Sequence, residues 1–524
     1  MNLLRRQWFA LTSGLLCFGW ALLGWLTVIP NQDILADGIQ AQSVLSDPRV
    51  VLSFPGQKHG GPLEYPATLL AEALAPGNYF ANAAVRLLLA FATGYVVARL
   101  FQTLFDEAPR WSFLVAVAVG PTIMHGLLGP SSNPVGVWWL QPNYDMAWLL
   151  VASGALVLAC SVGPAGRESV HDPGAWWPLL GGLLLGLGFF AHPVIVLLLV
   201  PLVALVVLRS RWRPRAYAIT IAGGLIGITP AAISYVVNAQ INTWDPSHGA
   251  FIAVDYYRSA GAAILGLDGI PDYMTALLPY ALGLAPSNTL MSGRLQSTLM
   301  WIIVFLIIVT SAVGLARALR SRRPLSPAAS IATSWLVAIV MMFAFITFVD
   351  PVWIYSSGLG VLFWLSIGAL PMFFTIRWIG NVVAATALAT VAASTVSHNM
   401  ELMSDVPDRF QAKIDRMIDE QRLADQLVDA GAQYVFGSYY DVIPVGYASG
   451  SRLRTLTNHY NRFPLTDEEL KGDNLLVAVN TEPTDPWGHE ALAAVKRACV
   501  SKDDAMAGSY GLYSCSAHAL VFNQ

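Results

Sequence analysis

Charge is what this chain has least of. Asp, Glu, Lys and Arg make up 12% of its 524 residues, hydrophobic residues make up 55%, and the mean hydropathy is +0.54. Soluble domains carry about 25% charge, so the composition is that of a polytopic membrane protein. With a formal net charge of -3, no global field recruits nucleic acid, and none is expected as a partner. Lysine is scarcer still, and Lys58 is the sole one before the C-terminal region. The sequence lacks a GxxxxGK[ST] run, a zinc-type Cys/His spacing and a nucleophile elbow. Its glycine pairs, Gly181-Gly182 and Gly223-Gly224, lie in apolar segments, where close helix packing is the ordinary reason. No clear repeat with paired broken helices of the transporter kind is visible. A cleavable signal is also missing, because the first apolar run is as long as a full span and has no small-residue cleavage site.

What is there is a succession of apolar runs. Spans of about 20 residues are expected near 7–29, 81–98, 112–128, 145–162, 178–191, 193–208, 216–237, 297–316, 328–348, 358–375 and 379–397. The fifth and sixth are short and joined by Ala191-His192-Pro193. Arginines gather in alternate connections: Arg5 and Arg6; Arg99 and Arg110; Arg167; Arg209 to Arg215; Arg317 to Arg323; Arg377. Cytoplasmic loops collect such charge, which puts the N-terminus inside and the C-terminus outside. The long loops 30–80, 129–144 and 238–296 then share the outer side with residues 398–524. In the first loop Ile34, Ile39, Val44 and Leu45 suit one face of a short interfacial helix.

From about Asp405 the composition becomes that of a soluble α/β domain, extending the domain division to 1–397 and 398–524. Phe410, Ile414, Ile418, Leu423 and Leu427 mark a helix that stops at Gly431. Strands are expected at Gln433–Phe436, Leu453–Thr457, Asn474–Val479 and Ala517–Phe522, with a helix near Glu490–Arg497. The domain has no catalytic motif of its own and reads as a cap. Cys499 and Cys515 lie in it and are expected to pair in an oxidising compartment. Cys17 and Cys160 sit in apolar runs as packing residues.

Several polar groups stand out. The stretch from Pro30 to Pro66 packs Asp33, Asp37, Lys58, His59, Glu64 and Tyr65 between two spans. Asp145 opens the fourth span, and an acid at that position is a functional candidate or a wet interfacial group. Arg86 lies just inside the second span and His192 breaks the fifth from the sixth. Tyr355 follows an outer turn, where an aromatic belt also accounts for it.

These residues resemble those of the GT-C fold membrane glycosyltransferases, which include the protein O-mannosyltransferases and the lipid A aminoarabinose transferases. The similar elements are Asn31-Gln32-Asp33, Gly60-Gly61-Pro62-Leu63-Glu64-Tyr65-Pro66, Val85-Arg86-Leu87, Arg99-Leu100-Phe101, Asp145, Gly186 to Pro193, and Tyr355. Three features depart from that pattern: Ile34 stands where a second acid usually follows the first, His192 replaces a Lys before Pro, and Tyr355 lacks a preceding Arg. The resemblance implies an inner-membrane bacterial enzyme that takes a sugar from a polyprenyl-phosphate donor to a glycan, lipid or protein hydroxyl. It further implies Asp33 as general base, with Asp145 or Asp37 orienting the acceptor or a divalent cation such as Mg or Mn. Arg86, His192 and Lys58 would meet the donor phosphate, and His59, Glu64, Tyr65 and Tyr355 would line the cavity. A lipid-linked glycan polymerase or ligase, and a transporter or flippase, are the rival readings.

Overall fold

The computed structural model describes residues 2–27, 32–44, 61, 63–125, 142–163, 174–192, 195–210, 213–241, 293–321, 325–348, 359–389, 406–458, 471–472 and 474–520. Lys58, His59, Leu45, Tyr355, the loop 129–141 and most of 238–296 lie outside them, as does the side chain of Asp33.

Each apolar run becomes a helix. These are α1 (Asn2–Thr27), α4 (Tyr79–Leu104), α5 (Arg110–His125), α6 (Pro142–Val162), α7 (Trp176–Ala191), α8 (Val196–Arg209), α9 (Pro214–Ile241), α10 (Gly293–Ser321), α11 (Pro327–Phe348), α12 (Leu359–Ala369) and α13 (377–389). Among the described residues, four stretches are long and apolar enough to cross a membrane: Gln7–Leu26, Tyr79–Leu104, Asp145–Val162 and Pro214–Ile233. Trp176–Ala191, Val196–Arg209, Pro327–Met342 and Gly360–Phe373 are shorter apolar helices. The side chains that face outward from this bundle are themselves apolar, among them Leu88, Ile221, Leu225 and Phe305. Outward-facing hydrocarbon of this kind suits a lipid surround.

Small residues let the helices touch. A Cβ on Gly182 would sit 1.9 Å from the Thr220 carbonyl oxygen, and one on Gly186 would sit 2.2 Å from that of Gly224. Conversely, a Cβ on Gly223 would sit 2.2 Å from the Leu179 oxygen, so α7 and α9 meet backbone to backbone. Ser13 closes α1 on α4 by donating from its Oγ to the Gly94 carbonyl at 2.8 Å. The break between α7 and α8 falls at His192, whose extended backbone ends the helix before Pro193.

The connections occupy two opposite ends of the bundle. At one end Arg209 donates from Nη2 to the Leu104 carbonyl at 3.0 Å, which the end of α4 leaves open, and from Nη1 to the Leu325 carbonyl at 3.2 Å. Arg110 lies there too, over the Phe9 ring. At the other end two short helices, α2 (Gln32–Ser43) and α3 (Tyr65–Leu74), fill the first long loop.

On these short helices sits the C-terminal α/β part. Helix α14 (Val406–Asp429) leads into β1 (Tyr434–Gly437), α15 (Tyr439–Ala448), β2 (Arg454–Thr457), β3 (Leu475–Asn480), α16 (Pro486–Ala498), β4 (Val500–Ala507), β5 (Tyr510–Cys515) and α17 (Ala517–Leu520). The strand order is β2-β1-β3-β5-β4, with β1 parallel to both its neighbours and β5 antiparallel to β3 and β4. The sequence reading did not include α15, and it differs in the last part of the sheet. Residues 517–520 form a short helix instead of a last strand, and the sheet closes with the β4–β5 hairpin. Lys502, Asp503 and Asp504 give β4 the composition of a loop, and its pairing with β5 supplies what local propensity does not. Cys499 and Cys515 flank this hairpin and are bonded, Cα to Cα 4.6 Å.

Helix α2 also departs from expectation. It does not lie with one face in the interface, because every residue from Ile34 to Ala41 is buried. Leu35, Ala36 and Ile39 pack with Tyr79 of α4 and with Met417, Tyr439, Ile443 and Tyr447 of the C-terminal part. The cap, invisible in the local pattern, covers the face that solvent or headgroups would otherwise meet.

Candidate active site

Burial of α2 takes polar groups with it, and each must find a partner inside. Gln40 accepts from the Tyr65 hydroxyl, and Gln42 donates to Glu72 Oε2 at 3.0 Å. Glu72 also accepts from the Tyr447 hydroxyl at 2.6 Å and from the Gly77 backbone N–H at 3.1 Å, which latches α3 to the cap. Burial nevertheless holds the Glu72 carboxyl above its ordinary range.

The loop before α3 is pinned from the other side. The N–H of Gly61 donates to the carbonyls of Phe190 (2.7 Å) and Ala191 (3.2 Å), the open end of α7. A Cβ at Gly61 would lie 2.2 Å from the Phe190 ring, so glycine is what permits the approach. Glu64 follows at the N-cap of α3, but its side chain caps nothing and points inward. It is fully buried, and among the described residues no side chain hydrogen-bonds to either carboxylate oxygen. Burial pushes its carboxyl well above the ordinary range, with Asp37 and then Asp145 adding to the shift.

Asp37 and Asp145 are therefore close enough to act on Glu64, and Arg86 completes the group. Asp145, in the first turn of α6 and fully buried, lies 3.8 Å from Nε of Arg86 on α4, an ion pair rather than a hydrogen bond. Asp37 also acts electrostatically on Arg86. Residues from α2, the α3 cap, α4 and α6, spread over more than a hundred positions, thus converge under the short helices. A buried carboxyl of raised proton affinity, with further buried acids and a cation beside it, is the ordinary equipment of acid–base chemistry near neutral pH.

Of the residues singled out in the sequence, Asp37, Glu64, Arg86 and Asp145 come together here. His192 is buried at the end of α7, one residue past the carbonyls that hold Gly61. Tyr65 is buried against Ala41 of α2. Asp33 lies on α2 one turn before Asp37, hence on the same face of that helix. Lys58, His59 and Tyr355 fall outside the described residues. Among the described residues no three His, Cys, Asp or Glu side chains are gathered as metal ligands.

Lys413, on α14 in the cap, was missed. Its side chain enters the transmembrane part, donates from Nζ to the Trp25 carbonyl at the end of α1 and lies 3.9 Å from the centre of the Trp25 ring. It also acts electrostatically on Arg86. The signal was a Lys three residues after Phe410, inside the apolar stripe of an amphipathic helix.

No protein-family model matches the chain, and no curated protein matches it either. Among solved structures it is similar to ArnT from Cupriavidus metallidurans bound to undecaprenyl phosphate, at 11% identity and a TM-score of 0.38, over 97% of this chain and 98% of that one. It is similar as well to the Archaeoglobus fulgidus oligosaccharyltransferase in complex with Zn and sulfate, at 11% identity and a TM-score of 0.40, over 97% of this chain and 74% of that one.

Proposed function

We propose that the chain is an integral membrane glycosyltransferase that moves a sugar from a polyprenyl-phosphate donor to a hydroxyl of a glycan, lipid or protein. The observation that carries this reading is the buried group of Asp37, Glu64 and Asp145 with Arg86, placed where apolar helices meet a covering domain. A donor of that kind arrives through the membrane with its leaving group attached, so no nucleotide site is needed. What is needed is a carboxylate, a cation and an apolar approach, and the cluster has all three.

In the proposed reaction an α2 carboxylate takes the acceptor O–H proton and the freed oxygen bonds to the anomeric carbon. The bond from that carbon to the phosphate oxygen breaks, and its electron pair leaves with the phosphate, which Arg86 stabilises. We assign the proton acceptance to Asp37, which among the described side chains of α2 is the acid that acts on Glu64 and Arg86; Asp33, one turn away, is the residue that the sequence favours. One displacement without a covalent intermediate inverts the anomeric centre. Asp145 holds Arg86 in place, and His192 and Lys58 belong to the phosphate side of this scheme. His59, Tyr65 and Tyr355 belong to the cavity. The cluster faces the extracytoplasmic side of the bacterial inner membrane, with the N-terminus in the cytoplasm.

The test is transfer by purified protein in nanodiscs from short-chain polyprenyl-phosphate sugars to hydroxyl acceptors. Asp37→Asn is expected to lower turnover by at least about 10²-fold, the range for a lost general base, with donor binding little changed. Loss confined to Asp33→Asn moves the role to Asp33. Full transfer by Asp33→Asn, Asp37→Asn and Glu64→Gln alike would sink the reading.

A further inference from the structure

Lys413 is 1% exposed, and among the described residues its ammonium faces no carboxylate. Its partners are one backbone carbonyl, one indole face and a like charge, that of Arg86. An ammonium has three donors, and one carbonyl engages only one of them. Isolated buried charge is costly unless it is paired or neutralised. Burial, then Arg86, accordingly pulls the amine down to about 7 from its ordinary value. Among the described residues, the surrounding elements bring no carboxylate to it. Helix α1 offers a carbonyl and a ring; α4 offers Arg86; α2 carries Asp37, which acts on Arg86 and on Glu64. On its own helix Arg409 and Arg416 flank it, and Glu420 is taken by Arg416 at 2.7 Å. Arg86 is likewise incompletely used, since its Nε has no hydrogen-bond partner among the described residues.

We propose that Lys413 and Arg86 form a two-cation seat for a phosphate mono- or diester anion, so that the C-terminal part of the chain completes the anion site of the transmembrane part. The inference rests on the proposed function for the lipid-linked source of that phosphate, but not for the seat itself. An anion between the two cations would replace their mutual repulsion with two charge-assisted hydrogen bonds. It would also restore the proton on Lys413, so binding above neutral pH takes up a proton. The Trp25 ring under the amine is continued by Phe80 (ring centres 4.7 Å apart) and Phe410 (6.1 Å), an aromatic surface that suits the first carbons of a lipid tail.

The experiment measures binding to the full-length protein of undecaprenyl phosphate and, separately, of inorganic phosphate. Calorimetry at about pH 8.5 is run in buffers of different ionisation enthalpy. Wild type is expected to take up about one proton per anion bound. Lys413→Met should bind at least about tenfold more weakly, in keeping with a lost hydrogen bond to a charged group, and without the uptake. Lys413→Arg, whose charge is permanent, should bind without uptake and serves as the folded control. Tighter binding of the lipid than of inorganic phosphate assigns the seat to a lipid headgroup; equal binding assigns it to free phosphate. Unchanged affinity and unchanged uptake in Lys413→Met would overturn the proposal and leave Lys413 a structural pin. If the seat binds as described and no sugar is transferred, the transferase reading fails and the seat stands.

Discussion

Glu64 is buried beside Asp37 with neither oxygen hydrogen-bonded by a described side chain, so its ionisation works against the fold. The folded-state pKa lies above the ordinary 4.5, so between the two values the folded chain keeps a proton that the unfolded chain has lost. Stability is full below the unfolded value and falls as pH rises through the folded one. Glu64→Gln removes that dependence. Thermal unfolding in detergent from about pH 5 to pH 8 should show wild type losing stability relative to Glu64→Gln; parallel curves would mean that Glu64 is hydrated in solution. The four residues of the charge cluster were all legible as candidates, since acids and arginines at membrane boundaries are rare. Their grouping was not, because α2, the α3 cap, α4 and α6 are brought together by packing alone.

Among elements, the contact of α7 with α9 depends on having no side chains at its centre. Leucine at Gly186 would drive into the Gly224 carbonyl (2.2 Å from a Cβ) and the Gly227 Cα (2.8 Å), neither of which can rotate away. Gly186→Leu is therefore expected to cost at least about 1–3 kcal/mol, the usual range for overpacking. Gly19, on α1, has no atom within 4 Å of where a Cβ would lie. Gly19→Ala should be neutral or slightly stabilising by helix propensity. Denaturation of the two variants in the same detergent separates these outcomes, and equal stability would refute the close α7–α9 approach. Here the sequence was plain, for Gly pairs inside apolar runs have few other uses. The sequence misread α2, because one-sided amphipathicity says which residues avoid water but not whether a second body covers the rest.

At the scale of the molecule, the cap stands on the end of the bundle opposite Arg110 and Arg209. If alternate arginine-rich connections are cytoplasmic, the cap is exported and Cys499 and Cys515 meet an oxidising environment. Protein isolated from membranes under alkylating conditions should then carry the bridge, and Cys499→Ser should lose roughly 3 kcal/mol of cap stability. Mass spectra showing both thiols alkylated would put the cap in the cytoplasm and remove the proposed site from the donor's side.

The sequence by itself determined the positions of the long apolar helices and of the helix before Gly431, the breaks at His192 and Gly431, the α/β character of residues 406–520, and the short roll of polar residues able to do chemistry. It determined these because apolar periodicity, helix-breaking residues and the cost of charge in hydrocarbon act locally along the chain. Only the tertiary structure decided that Asp37, Glu64, Arg86 and Asp145 share one interior, that β4 pairs with β5, and that Lys413 reaches in from the cap. Charge clusters and strand pairs join residues far apart in the chain, and the energies that assemble them belong to burial and packing, which no local pattern records.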